Sequence, residues 1–214
     1  MTNQEVEIYL KNPNIKHYFK KNREEVEKIL KDSSIKHYFI TREEAFDSLK
    51  YYNPKNHNVL DLGFGRWGVT DINNFTPIFA MNRGAKCVIG VDIERTEIDY
   101  FTNYFSKHYP STNSKFYYET INDPNQIRTL IERHNITFIK SDIERYEVPT
   151  FQHFTKEDLK NVDTFIMEYH TLGIRDLFVN KFTEWGYKIV AHGETYPKLV
   201  NFRGIGALYG EKIK

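Results

Sequence analysis

The sequence predicts a doubly wound α/β fold built on a mainly parallel sheet. Three observations carry that expectation. Short apolar runs alternate with segments of helical periodicity from residue 58 onward, a glycine-rich turn follows the first run, and two apolar runs stand close together near the C-terminal end. Strands separated by helices imply parallel neighbours joined by right-handed crossovers, with helices on both faces. The final pair of runs implies an antiparallel hairpin on the sheet edge.

The elements read in order as follows. "NVLDLGF" is a buried strand and "GVTDINNFTPIFAMNRG" a helix ended by Gly84. "KCVIGVDI" is a second strand, followed by the helix "RTEIDYFTNYFSKHY". "SKFYYETI" reads as the third strand, and "DPNQIRTLIERH" as a helix with Pro124 in its first turn. "NITFIKSDI" is the fourth strand, and a loop or short helix around residues 155–161 leads to the fifth, "VDTFIMEYHT". The helix "IRDLFVNKFTEWG" precedes a sixth strand, "YKIVAHGE", and a last one in "VNFRGIGALYGEKI".

Ahead of this domain (53–214), residues 1–52 read as a helical extension. It contains an echo: Ile-Lys-His-Tyr-Phe occurs at 15–19 and again at 35–39, each copy followed by an Arg-Glu-Glu run. Asn22 and Thr41 stand as N-caps before those runs, with acids in the first turn favouring the helix dipole. The expectation is two short helices, each introduced by an aromatic turn, that cap the main domain or close over an acceptor.

Composition narrows the function classes. Lys+Arg 30 against Asp+Glu 29 gives a net charge of +1 over 214 residues, so no global field advertises nucleic acid or membrane. A single cysteine, Cys87, rules out an internal disulfide. No leader-like or membrane-spanning apolar stretch is present, and the expectation is a cytoplasmic protein without a membrane partner.

The turn "DLGFGRWG" holds Gly63, Gly65 and Gly68 at the spacing of a dinucleotide fingerprint. Asp61 argues against a pyrophosphate there, because its carboxylate would repel one, whereas it suits a cationic ligand such as an amino-acid ammonium. Ligands of open parallel sheets bind beyond the carboxyl ends of the strands. There the second strand offers Asp92, with Ile93 and Glu94 following, and an acid in that place accepts ribose hydroxyls. The third strand ends at Glu119, where an adenine contact belongs. The fourth and fifth bring Asp142, Glu144, Glu168 and His170, two carboxylate clusters and an imidazole whose ordinary pKa suits a general base. The same donors are chemically able to hold a divalent metal, but the expectation is a metal-free site.

These motifs resemble the class I S-adenosylmethionine-dependent methyltransferases, and among them the FkbM type. That type reads approximately Asp-x-Gly-Ala-Asn-x-Gly, then Lys-x-Asp-x-Glu-Gly-x-Glu, then an apolar strand ending in Glu-x-His. Lys140, Asp142, Glu144 and Glu147 match the middle pattern, Glu168 and His170 the last. Phe64-Gly65-Arg66 and Arg145 depart from it. The resemblance implies a Rossmann-like methyltransferase domain with S-adenosyl-L-methionine as cofactor, held by Asp61, Gly63, Gly65, Gly68, Asp92, Ile93 and Glu119. It implies transfer to an oxygen of a small-molecule or sugar hydroxyl, with His170 as base beside Asp142, Glu144 and Glu168. Nucleic acid or protein acceptors stay open. So do two other classes, an NAD(P)-dependent oxidoreductase and a non-catalytic module with a degenerate cofactor fold.

Overall fold

The computed structural model describes residues 36–40, 53–65, 75–119, 121, 123–144, 146–169, 171–195 and 205–213. Within them the central strands form where apolar residues predominate, since a parallel strand covered on both faces has little solvent side to keep polar, and the few charged residues in them gather at the carboxyl ends. These are β2 (Asn58–Leu62), β3 (Cys87–Asp92), whose six residues are all buried, β5 (Phe138–Ser141) and β6 (Thr164–Tyr169). The sheet is completed by β1 (Lys36–Ile40), β4 (Lys115–Tyr118), β7 (Tyr187–Thr195) and β8 (Ile205–Lys212). Its eight strands lie in the order β1-β7-β8-β6-β5-β2-β3-β4. Strand β8 runs antiparallel to both β6 and β7, and the other pairs are parallel. This is the mainly parallel sheet with an antiparallel C-terminal edge that the order of elements predicts.

Helices cover both faces. On one, α1 (Thr76–Asn82) and α2 (Arg95–His108) pack Ile78, Ala80, Ile98, Phe101 and Phe105 against Val59, Val88, Phe138 and Ile166. On the other, α3 (Pro124–Arg133), α4 (Glu147–Phe151) and α5 (Leu172–Glu184) pack Ile127, Leu130, Phe151, Phe178 and Phe182 against Leu60, Leu62, Ile89, Ile139 and Phe165. The period-2 alternation of β2 thus divides its side chains between two cores. Local signals place the helix starts: Asp123 accepts from the Asn125 amide with Pro124 behind it, and Thr171 accepts from the Ile174 amide.

One expectation is corrected. Residues 36–40, read as part of an aromatic turn, are instead the edge strand β1, parallel to β7 with Lys36 opposite Ala191 and Ile40 opposite Thr195. Tyr-Phe-Ile is a strand-favouring run, and the edge of β7 gives it a ladder to join. Residues 155–161 form the loop expected before β6, and a short helix, α4, lies upstream of it at Glu147–Phe151. The two helices expected in the extension lie outside the described residues.

Aromatic packing crosses the sheet where one residue has no side chain. A Cβ on Gly90 would sit 2.6 Å from the Phe64 ring and 2.5 Å from the Phe116 ring. Phe64 meets Phe101 edge-on at 5.1 Å and Phe116 at 5.4 Å in that space. Gly90→Ala is expected to force those rings apart and to cost about 1–3 kcal/mol, as overpacking does. Urea unfolding with an unchanged m-value checks it.

Candidate active site

The strand order reverses between β2 and β5: β3 and β4 continue outward from β2, and β6 from β5. Such a reversal opens a crevice at the carboxyl ends of the two strands, the place where open α/β sheets bind ligands. The glycine turn enters that crevice. Gly63 has φ +69°, and a Cβ there would lie 1.7 Å from the Asp142 carbonyl oxygen, so both conformation and space require glycine. The Gly63 amide donates to the Val91 carbonyl at 2.9 Å, and the Asp142 amide donates to the Leu62 carbonyl at 2.9 Å. Three strand ends are thereby stitched together. Gly65 is partly buried. Gly68, with Arg66 and Trp67, lies outside the described residues.

Asp61 and Lys140 are register partners on β2 and β5, in a row that continues to Gly90 on one side and Ile166 on the other. Their side chains therefore emerge together on the face covered by α1 and α2. Asp61 is fully enclosed. The Lys140 ammonium, 12% exposed, stands 3.2 Å from Asp61 Oδ1 and 3.9 Å from Asp142 Oδ2. Its well-aligned hydrogen bond goes elsewhere, to the Gly63 carbonyl at 2.7 Å. No bond of good geometry reaches the Asp61 oxygens among the described residues, and the Lys140 ammonium and the Thr76 hydroxyl are the polar groups that act on them. Burial pushes the Asp61 carboxyl upward while Lys140 opposes it. Burial works against the Lys140 ammonium, but Asp61, Asp142 and Glu168 outweigh it and hold its pKa above the ordinary lysine value. The cation beside Asp61 is thus the chain's own, where a ligand's ammonium was expected. Sequence reasoning placed Lys140 only as a motif match and missed this contact.

At the next strand end Asp92 is 6% exposed, and its Oδ1 accepts from the Glu94 amide at 2.9 Å. Burial raises its pKa, with the Glu94 and Ile93 amides opposing. The Glu119 amide donates to the Asp92 carbonyl, which brings the end of β4 alongside. Ile93, Tyr118 and Tyr146 are exposed, and they are three of the four large apolar side chains so exposed among the described residues. All three follow or end β3, β4 and β5, so the crevice has an apolar rim.

Beyond β5 and β6 the chemistry is acidic. Asp142 keeps a third of its side chain exposed, Glu144 is exposed with φ +50°, and Glu168 is partly buried. Burial lifts the Glu168 carboxyl well above the ordinary glutamate range; the charge and hydrogen bond of Asp142 raise it further, and Lys140 only partly offsets them. Glu168 therefore keeps its proton to higher pH than a free glutamate does, beside Asp142. His170 lies outside the described residues. Among those described, no group of three or more His, Cys, Asp or Glu has the arrangement to hold a metal ion, and no helix is long and apolar enough to cross a membrane.

The sequence matches no family model and no curated protein. Solved structures share its fold. A Pyrococcus horikoshii protein described as a candidate RNA methyltransferase is 13% identical, covering 80% of this chain and 83% of its own, with a TM-score of 0.52. A Streptococcus pneumoniae protein described as a candidate tRNA (m1A22) methyltransferase, solved with S-adenosyl-L-methionine, is 14% identical over 82% and 75% of the two chains, with a TM-score of 0.54. TrmK of M. capricolum, solved with S-adenosyl-homocysteine, is 12% identical over 83% and 70%, at 0.50. With these the fold class is defined: a Rossmann-like sheet of the class I methyltransferase arrangement, extended on one edge by β1.

The raised Glu168 pKa makes stability depend on pH. The folded chain keeps that proton where the unfolded chain, with a glutamate near 4.3, has lost it. The contribution of this carboxyl to stability is therefore full below about pH 4.3 and is lost as pH rises through the folded value. Glu168→Gln is expected to remove this loss. Its unfolding free energy relative to the native chain should grow between about pH 4.5 and 8 in urea titrations; a constant difference would mean an unshifted carboxylate.

Proposed function

We propose that the chain is an S-adenosylmethionine-dependent methyltransferase whose transfer takes place beyond the ends of β5 and β6. The observation that carries the reading is the crevice itself: a glycine turn closed onto Asp142, with the buried Asp92 at the next strand end, at the reversal of strand order in a sheet of the class I methyltransferase arrangement. A pyrophosphate in this crevice would face Asp142 and Glu168, while the Lys140 ammonium beside the turn is already engaged by Asp61 and Gly63. That charge pattern disfavours the NAD(P) alternative and suits a cofactor carrying a sulfonium and an ammonium.

In this reading Asp92 accepts the ribose hydroxyls, Ile93 and Glu119 flank the adenine, and the glycines admit the methionine portion close to the backbone. Asp61 contributes through Lys140 and not by direct contact. The cofactor supplies an electrophilic methyl group. The chain's part is to hold an acceptor in line with that methyl, and positioning of this kind provides much of the acceleration. Asp142 orients the acceptor, Glu168 and Glu144 maintain the acidic surround, and His170 takes the acceptor's proton. Carboxylates repel an anionic group, so the acceptor atom belongs to a neutral or basic portion of its molecule. The FkbM-like Lys140-x-Asp142-x-Glu144 pattern favours a hydroxyl of a small molecule or sugar. The shared fold with proteins named as RNA and tRNA methyltransferases favours RNA as a second reading.

Methyl-labelled S-adenosylmethionine offered with a small-molecule extract and, separately, with total RNA distinguishes the two. Label in the extract supports the hydroxyl reading, and ribonuclease-sensitive label establishes the second. Thermal shifts test the cofactor first. S-adenosylhomocysteine at a hundred times its Kd adds about 2.7 kcal/mol to stability, and a shift with NAD alone would overturn the proposal. Asp92→Ala is expected to weaken S-adenosylhomocysteine binding about ten- to a hundredfold, the loss of hydrogen bonds to a charged acceptor. Calorimetry on the folded variant checks it.

A further inference from the structure

The Lys140 ammonium occupies a position that neither cofactor nor acceptor chemistry requires of it. It sits on β5, yet its shortest contact is with a backbone oxygen of the turn that leaves β2, across the point where the strand order reverses. We infer that Lys140 is a positioning residue that braces the glycine turn against the acceptor-side strand, and so couples the two halves of the crevice.

Four groups face this ammonium. Asp61 lies beside it from β2 at 3.2 Å, the Gly63 carbonyl accepts its hydrogen bond at 2.7 Å, Asp142 stands at 3.9 Å from the end of β5, and Glu168 acts on it from β6. A peptide unit is planar and trans, so fixing the Gly63 carbonyl also fixes the amide of Phe64 to point away from Lys140. The turn's backbone is then set before any ligand arrives. Gly63 has no side chain to hold it in place, and the positive φ it adopts is one that glycine enters and leaves freely. The Gly63 amide is held by the Val91 carbonyl, and a charged donor anchored by an enclosed carboxylate adds the constraint on the Gly63 carbonyl. Asp61 has the supporting part. Fully enclosed and 3.2 Å from the ammonium, it holds Lys140 in place chiefly by charge, with the Thr76 hydroxyl also acting on it.

The inference rests on the methyltransferase reading only for its effect on ligand affinity, and its test has an arm free of any ligand. Lys140→Met alone would strand the Asp61 carboxylate, so the informative variant is Asp61→Asn with Lys140→Met, which removes both charges at nearly constant volume. In hydrogen-exchange mass spectrometry, the segment 63–65 of this double variant is expected to exchange about tenfold faster or more, the loss of one hydrogen bond from a charged group. The amides of β3 and β6 should keep their protection. S-adenosylhomocysteine affinity should fall by a similar factor. A double variant with native exchange at 63–65 and native affinity would overturn the inference and reduce Lys140 to neutralising Asp61. Should that variant fail to fold, ¹⁵N spectra of the native chain decide. A braced ammonium gives a persistent signal that titrates above the ordinary lysine value of about 10.4, and an exchange-broadened signal that titrates with the surface lysines overturns the brace. If the native chain binds no S-adenosylhomocysteine, the methyltransferase reading falls and the exchange measurement still decides the brace.

Discussion

The rest of the site depends on one buried ion pair placed where the sheet changes direction. Asp61 and Lys140 face each other across the β2–β5 register, in a row otherwise made of Gly90 and Ile166. Two opposite charges taken out of water are poor stabilisers, because desolvation absorbs most of their attraction, and an apolar pair of similar volume commonly serves a fold as well. Removing one partner is a different matter and costs about 3–5 kcal/mol, since the other charge is left enclosed. A pair of this kind is better understood by what it orients. Here the ammonium's aligned bond is to Gly63, and the carboxylate holds it there.

That placement also sets the electrostatics of the crevice. Lys140 opposes the effect of burial on Asp61 and on Glu168 only in part, so the ends of β5 and β6 keep an acidic character. Two carboxyl groups brought together in a partly buried place do not both ionise easily, which is why the Glu168 carboxyl is raised beside Asp142. The result is an acid-rich surround beyond β5 and β6 that disfavours anions. Ile93, Tyr118 and Tyr146 add exposed apolar surface at the same end of the sheet.

Much of this was legible in the sequence, for local reasons. "CVIGVD" reads as a buried strand because a strand covered on both faces is apolar throughout. The start of α3 is written in Asp123 and Pro124, and Gly84 marks the end of α1 by adopting φ +86°. What stayed hidden depends on non-local pairing. The ladder that makes residues 36–40 a strand belongs to β7, far downstream. Helix α4 is five residues long and contains Pro149, too short for any helical period to show. The contact of Asp61 with Lys140 follows from simple alternation, but only once β2 and β5 are known to be neighbours. The reversal of strand order that makes them so has no signature in either strand alone.

The departures from the FkbM-like pattern can be followed into the packing in the same way. Phe64 stands where that pattern has a small residue, directly after the one glycine whose conformation the crevice requires. The ring does not enter the crevice. It is 1% exposed and turns back under α2, into the space that Gly90 leaves open between Phe101 and Phe116. A large residue in the turn is therefore absorbed by a missing side chain in the neighbouring strand, and the far side of the turn gains an apolar anchor. Lys140 holds the turn by its backbone from β5, and Phe64 holds it by its side chain from β3 and α2. Two constraints of different chemistry, one electrostatic and one of shape, thus fix a segment whose glycines would otherwise leave it free.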